Sequence, residues 1–298
     1  MFSSYDFMSL GLDTCKYFKW RKYELHCNTD RFRRDYGAHP ETCRQIWDDL
    51  RSSTNPEIHV GKEGKPLHFL LAMRWLYKYH TEGDLGKFFG MTEKTVGKWA
   101  KHYAAKICLL LESKIPNWED ADVGLIFVLS VDGTHCPIEE PFPFSTIWSS
   151  HKLGGKPGLN YEIALRIDQP EVLSVYGPTP PGKQPDISVF RHGVLMEKMR
   201  QFAEARGLPM RGIGDKGYRG EPDFLSARSE HDPLEIAEFK NRVLARQENF
   251  NRIIKLFKCF VHAFRHGIEQ HGICFRAVCA IQCYALKNES LSLLDVYT

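Results

Sequence analysis

The chain has 298 residues, a formal net charge of +3 and a hydrophobic fraction of 43%, which is ordinary for a globular protein. No run of about 18 apolar residues occurs, so no membrane span is expected, and the amino terminus lacks the pattern of a secretory signal. Nine cysteines show no disulfide framework, which favours a reducing, intracellular compartment. At this length we expect two domains.

The amino-terminal part of the chain is predicted to be helical and locally basic. Residues 1–60 contain no readable module and stay unassigned, whereas residues 61–115 are predicted to form a small all-α domain. Residues 60–106 contain nine Lys or Arg against four Asp or Glu, a local net charge of 9 − 4 = +5. Pro66 suits the first turn of a helix that continues to about His80.

Residues 81–103 resemble a helix-turn-helix, with a first helix over 84–89, a turn at Gly90-Met91 and Thr92 capping the second helix. One face of the second helix is apolar and would pack, so the other face is free to enter a DNA major groove. The side chains off the apolar face, which we predict to contact double-stranded DNA, are Lys94, Thr95, Lys98 and Lys101. The alternative is a plain helical bundle with a solvated lysine face.

After a linker predicted at residues 116–120, the pattern changes to alternating strands and helices. Residues 126–131 are apolar apart from one Ser, which is typical of a buried strand, and Asp132 follows with a turn expected at Gly133. A second short strand at about 209–214 leads into Asp215. Because α/β folds bind ligands at the carboxyl ends of strands, we expect both carboxylates at such an edge. Either aspartate alone would be an ordinary strand cap or turn residue.

Glu248 lies on a predicted amphipathic helix. Apolar residues recur at a nearly helical period at Phe239, Val243, Phe250, Ile254 and Phe257, and Glu248 faces away from them. One interpretation is a solvated helix face with ordinary charge pairs. In the other, Glu248 holds a metal while the neighbouring Asn251 and Lys255 contact a phosphate. Two strand-end aspartates and a helical glutamate provide the oxygen ligands for two Mg²⁺ or Mn²⁺ ions.

Five motifs in order resemble the DDE superfamily endonucleases, most closely PIF/Harbinger-type and related bacterial insertion-sequence transposases. They are VDGTH, SHKLGGKPGLNYEIAL, GPTPPGKQPDISVFR, GDKGY and QENFNRIIKLF. The resemblance implies an RNase H-like catalytic domain over 120–298 and metal-dependent cutting and joining of DNA, with Asp132, Asp215 and Glu248 as catalytic metal ligands. Asp186 matches a further acidic position, which we expect near the site or at a helix start and not as a core ligand.

The elements between these motifs favour the same fold class, α/β with an RNase H-like domain preceded by the helix-turn-helix domain. Strands are predicted over 161–167 and 171–176, and a Pro- and Gly-rich run at 177–185 ends the second of them. A helix is predicted from Asp186 to about Arg206. Three antiparallel strands followed by α/β alternation are the RNase H-like arrangement.

The resemblance also implies partners and phosphate contacts. The partners would be double-stranded DNA at transposon ends and at the target, a second copy of the chain in a homo-oligomer, and in some elements a second encoded DNA-binding protein; a eukaryotic member would act in the nucleus. Candidate phosphate contacts are Lys152, Lys156, Lys216, Arg219, Arg252 and Lys255. Arg219 and Arg252 stand where relatives have Pro and Gly. The alternative is a domesticated, transposase-derived DNA-binding protein without nuclease activity.

Two groups of histidines and cysteines leave smaller questions. His135, three residues after Asp132, would touch substrate or orient that carboxylate, or be a buried structural residue. Near the carboxyl terminus, zinc ligation is disfavoured because no CxxC pair occurs and the residues fall on or beside an apolar helix predicted at about 273–287. These residues are Cys274, Cys279, Cys283, His262, His266 and His271.

Overall fold

The computed structural model describes residues 2–17, 19–116, 118, 127–143, 145–182, 184–207 and 209–288. The chain forms two compact units. The first is built from Met1–Lys114, Ile254–His262 and His266–Ser290, and the second mainly from Ile115–Ile253 with Ala263–Arg265. Residues 117, 119 and 120 of the predicted linker lie outside the described part of the chain. No helix within the described ranges has the length and apolar character needed to cross a membrane.

Helices and strands are numbered in chain order. The helices are α1 (Ser4–Thr14), α2 (Leu25–Tyr36), α3 (Pro40–Ser52), α4 (Pro66–Lys78), α5 (Glu82–Phe89), α6 (Glu93–Leu110), α7 (Asp186–His192), α8 (Leu195–Arg206), α9 (Leu234–Ile254) and α10 (Ile268–Asn288). The strands are β1 (Phe127–Pro137), β2 (Gly158–Arg166), β3 (Val172–Thr179), β4 (Arg211–Gly214) and β5 (Leu225–Ser226). The structure is therefore a mixed α/β protein.

The first unit is helical and packs around aromatic side chains. Phe69 of α4 lies 5.8 Å from the ring of Phe7 and 6.0 Å from that of Tyr103, and Trp47 joins the same group. Burying each such side chain stabilises the fold by roughly 1.5–3 kcal/mol. The cysteines of α10 are buried within the helix that the sequence predicts there.

Helices α5 and α6 begin and end at residues whose chemistry explains the boundaries. The hydroxyl of Thr81 accepts a hydrogen bond from the main-chain N–H of Asp84, so α5 starts two residues before the predicted position. Gly90 ends α5 with a φ of +67°, a conformation that favours glycine. Thr92 caps α6 as expected, because its side chain accepts from the N–H of Thr95.

The second unit contains a five-stranded sheet in the order β3-β2-β1-β4-β5. β1 pairs antiparallel with β2, and β2 with β3, whereas β4 is parallel to β1 and β5 is parallel to β4. One side of the sheet carries a core in which Val131 packs with Phe190 and Leu195 of α7 and α8. On the other side, Ile213 packs with Val243 of α9.

Further predicted boundaries, those of the first strand and of the helix after Asp186, are also wrong. β1 continues beyond Asp132 and Gly133 to Pro137, because β2 is long enough to pair with it as far as Gly158. The helix predicted from 186 to 206 is two helices that separate at Gly193, where an added Cβ would lie 2.7 Å from the carbonyl oxygen of Val189. Helix α9 ends at Ile254, so Lys255 lies beyond it.

We predict opposite stability effects for two glycine substitutions. Gly193→Ala should lower stability by about 1–3 kcal/mol, because the methyl group overlaps a main-chain oxygen that cannot move freely. Gly97→Ala should raise it by roughly 0.5–1 kcal/mol, because Gly97 is inside α6 and the nearest atom to an added Cβ is 3.9 Å away. Urea unfolding followed by circular dichroism measures both. A Gly193→Ala protein as stable as wild type would contradict this explanation of the helix break.

Candidate functional site

The parallel pairing of β1 and β4 brings Asp132 and Asp215 together. The last pair in that register is Val131 with Gly214, and each aspartate is the next residue along its own strand. Because adjacent strands lie about 4.8 Å apart, the two backbones are immediate neighbours at this point. Both aspartates are half-buried. The two carboxylates therefore lie where the β1–β4 pairing ends, although β1 itself continues to Pro137 in its pairing with β2.

Both carboxylate oxygens of Asp132 accept a hydrogen bond. The N–H of Gly133 donates to Oδ1 at 2.8 Å, and Nδ2 of Asn251 donates to Oδ2 at 2.7 Å. Two residues earlier on β1, the hydroxyl of Ser130 donates to Oε1 of Gln247 at 2.6 Å. Residues two apart on a strand share a face, so α9 lies along the face of β1 that carries Ser130 and Asp132. Asn251 is thus the residue that orients the first carboxylate.

Asp132 lies in a region with excess negative charge. Burial raises the pKa of its carboxyl group to about 6, and the negative charges of Asp215 and Asp186 add to the increase. The ammonium group of Lys152 and the N–H of Gly133 oppose it without cancelling it. A cation at this edge would stabilise the ionised form of Asp132.

Asp186 starts α7, and its carboxylate lies beside both predicted ligands. A Cβ on Gly133 would be 2.5 Å from Oδ1 of Asp186, and a Cβ on Gly217 would be 3.0 Å from both its Oδ2 and Oδ1 of Asp215. A side chain at either position would therefore crowd the Asp186 carboxylate in its present place. Lys152 forms an ion pair with Asp186 at 3.2 Å and donates to the carbonyl oxygen of Gly133 at 3.1 Å.

Glu248 is an exposed residue of α9, one turn before Asn251. Residues three apart on a helix are neighbours on its surface, so Glu248 flanks the side chain that holds Asp132. Within the ranges that the structure describes, no three His, Cys, Asp or Glu side chains are grouped closely enough to hold a metal ion. The fold therefore brings the two aspartates together, and in the described part of the structure Glu248 does not form a three-ligand group with them.

His135 lies on the opposite face of β1 from Asp132, because the two residues are an odd number of positions, three, apart on the strand. It is 3% exposed, and its Nδ1 is 2.6 Å from the hydroxyl of Ser150, itself fully buried. This environment favours the interpretation of His135 as a structural residue. Lys216 and Arg252 are exposed in the second unit, whereas Lys255 is half-buried and belongs to the first.

The residues predicted to contact DNA are arranged on α6 of the first unit. Lys94, Lys98 and Lys101 are exposed, and Val96, Ala100 and Tyr103 are buried on the opposite side. The hydroxyl of Thr95 lies 2.9 Å from that of Thr92, so this side chain takes part in the helix cap. The lysines form a continuous cationic face on an otherwise well-packed helix.

Two buried polar residues of β2 lie opposite β1 close to Asp132, and the sequence did not predict a role for either of them. Glu162 and Asn160 are 2% and 0% exposed, and Glu162 pairs with Gly133 across the β1–β2 ladder. Burial raises the pKa of Glu162 to about 8, and the charge of Asp186 contributes. The signal was present in NYEIAL, where two polar residues at a spacing of two interrupt an apolar strand.

Comparisons with known proteins identify no relative: no family model, no curated protein and no solved structure matches the chain.

We predict that Glu162 makes the stability of the second unit depend on pH. Its pKa rises from 4.5 to about 8 on folding, so the unfolded chain loses this proton first and stability falls as pH rises through that interval. A shift of this size corresponds to roughly 5 kcal/mol. Glu162→Gln should remove most of this loss in urea unfolding at pH 5, 7 and 9. The exposed Glu204→Gln is the control, and identical pH profiles for wild type and Glu162→Gln would contradict the prediction.

Proposed function

We propose that the chain is a DDE-type endonuclease or transposase, a metal-dependent enzyme that cuts and joins phosphodiester bonds of double-stranded DNA. The observation that carries the proposal is that Asp132 and Asp215 are neighbours directly after the last β1–β4 pair. The charges of Asp215 and Asp186 both act on Asp132. The strand order and the antiparallel first three strands support an RNase H-like catalytic domain. The ordered motifs described above agree with that arrangement.

The carboxylates fit a divalent cation chemically. Asp132, Asp215 and Glu248 offer only oxygen donors, which Mg²⁺ and Mn²⁺ prefer. Burial raises the pKa of Asp132, and the charges of Asp215 and Asp186 add to the increase, so a bound cation would stabilise its ionised form. When bound, such ions supply Lewis-acid stabilisation of the attacking and leaving oxygens. Glu248 would join the two aspartates from α9, where its exposed side chain is free to change rotamer.

The chain's own residues then orient the site. Asn251 and the N–H of Gly133 hold both oxygens of Asp132, so its carboxylate keeps one direction. Lys216 and Arg252 are exposed and would contact phosphates, which fixes a duplex without reading its sequence. In the first unit, the α5–α6 pair and the lysine face of α6 support a helix-turn-helix that binds DNA.

A second candidate function is a transposase-derived DNA-binding protein without nuclease activity. One observation favours it: in the described part of the structure, Glu248 does not form a three-ligand group with the two aspartates. The DNA-binding face of α6 is common to both candidates, so only a cleavage assay separates them.

Asp132→Asn tests the catalytic proposal. The substitution keeps the shape of the side chain and removes the charge that would hold a cation. With Mg²⁺ or Mn²⁺, cleavage of DNA carrying the element's ends should fall by a factor on the order of 10³ or more, and Asp132→Asn with Asp215→Asn should be no worse than either alone. Asp223→Asn, at an exposed aspartate, is the matched control. Wild-type cleavage by Asp132→Asn would remove Asp132 from the mechanism, and wild type that binds DNA without nicking it would favour the second candidate.

Lys94→Ala combined with Lys98→Ala tests the DNA-binding face. Loss of two phosphate contacts should weaken binding and reduce the slope of log affinity against log salt by about 2. Gel-shift titrations at several salt concentrations measure both quantities. Lys22→Ala with Lys62→Ala removes two exposed lysines that do not belong to α5 or α6 and serves as the control. An unchanged slope would mean that the α6 lysines are solvated surface.

A further inference from the structure

A small oxygen-lined recess lies over Gly133, on the face of β1 opposite the side chain of Asp132. A Cβ at Gly133 would be 2.5 Å from Oδ1 of Asp186 and 3.3 Å from Oδ1 of Asn160, so both oxygens face the same point. Glu162 pairs with Gly133 and lies two residues from Asn160, so it is on the same face. The recess thus brings together a carboxylate, an amide and a second carboxyl group.

The side chains that line the recess are buried and lack hydrogen-bond partners. Neither side-chain polar atom of Asn160 and neither carboxyl oxygen of Glu162 is bonded to another of the described residues. The hydroxyl of Tyr218 lies near Glu162 and lowers the pKa of its carboxyl group, and this hydroxyl is itself buried without a hydrogen-bond partner among the described residues. Buried polar groups are almost always satisfied in proteins, so these atoms indicate a ligand with matching charge.

The contacts of Lys152 identify that charge as positive. Its ammonium group donates to the carbonyl oxygen of Gly133 at 3.1 Å and to Oδ2 of Asp186 at 3.2 Å. An ammonium held by a carbonyl and a carboxylate has the surroundings of a bound cation. The side chain of Lys152 is 33% exposed and flexible, so it can withdraw into solvent.

We propose that Asp186, Asn160 and Glu162 form a divalent-cation subsite over Gly133, and that the ammonium of Lys152 is its tethered substitute. The donors are carboxylate and amide oxygens, the class that Mg²⁺ and Mn²⁺ accept. Two acidic residues suffice because Asn160 supplies the third protein donor. The subsite deepens the proposed function by adding a cation on the face of β1 opposite the side chain of Asp132, but binding there does not require nuclease activity.

The test is a titration of the full chain with Mn²⁺ alone, without DNA, in which electron paramagnetic resonance reports free Mn²⁺. Asp186→Asn should remove one class of Mn²⁺ binding. Lys152→Met should tighten that class by at least about tenfold, because a competing positive charge is gone. Lys156→Met, an exposed lysine of the same loop, should leave the titration unchanged. Circular dichroism checks that each variant is folded.

The outcomes separate this subsite from the catalytic proposal. If Asp186→Asn and Lys152→Met both titrate as wild type, or if Lys152→Met weakens Mn²⁺ binding, the subsite is wrong. Binding lost in Asp132→Asn and retained in Asp186→Asn also overturns the subsite while the catalytic proposal stands. Binding lost in Asp186→Asn and retained in Asp132→Asn supports the subsite and counts against the catalytic metal site. Should Asp186→Asn fail to fold, the Lys152→Met titration alone decides.

Discussion

The site depends on where the parallel pairing of β1 with β4 stops. The last β1–β4 pair is Val131 with Gly214. Asp132 and Asp215 are the next residues on their chains, so each carboxylate stands at the first position after the β1–β4 hydrogen bonds end. Pairing further along would have forced the two aspartates into a regular ladder. Instead Asp215 turns away, and its side chain accepts a hydrogen bond from the N–H of Gly217 at 2.7 Å. The backbone hydrogen bonds between β1 and β4 thereby hold two negative charges close together. The carboxylate groups themselves take no part in those bonds.

Helix α9 is fixed to this sheet by polar contacts as much as by apolar ones. Arg246 donates from Nη1 to the carbonyl oxygen of Ile167 at 3.0 Å and from Nη2 to that of Gln169 at 2.6 Å, at the end of β2. One residue later Gln247 bonds Ser130, and Asn251 bonds Asp132. Such buried networks are demanding, because each member left unpaired costs free energy. They specify the rotation of α9 about its axis, and this rotation places Asn251 against Asp132, with Glu248 three residues earlier on the same helix.

Local sequence signals predicted the elements well and their long-range limits poorly. Thr92 and Gly90 act within one turn of the chain, so the α5–α6 boundary was readable, and the strands around residues 161–176 followed from short-range alternation. The continuation of β1 past Asp132 depends on the length of β2, and the break at Gly193 depends partly on the side chain of Tyr176, 3.1 Å from an added Cβ. The position of Asp186 depends on space left by two glycines far away in sequence, which no local pattern encodes.

The two faces of β1 at the site differ in whether a carboxyl group on them is hydrogen-bonded and ionised or unpaired and protonated. On the α9 face, the Asp132 carboxylate has both oxygens hydrogen-bonded and can stay ionised near neutral pH. On the α7 face, burial raises the pKa of Glu162 to about 8, so this group stays protonated unless a positive charge reaches it. Lys152 forms an ion pair with Asp186, and its partly exposed, flexible side chain can leave that position. Glu248 of α9 is the opposite case. Its side chain is exposed, so it loses rotamer freedom only when a ligand holds it. The fold therefore pre-positions the buried carboxylates at a cost in electrostatic free energy and leaves the exposed one to be ordered by binding.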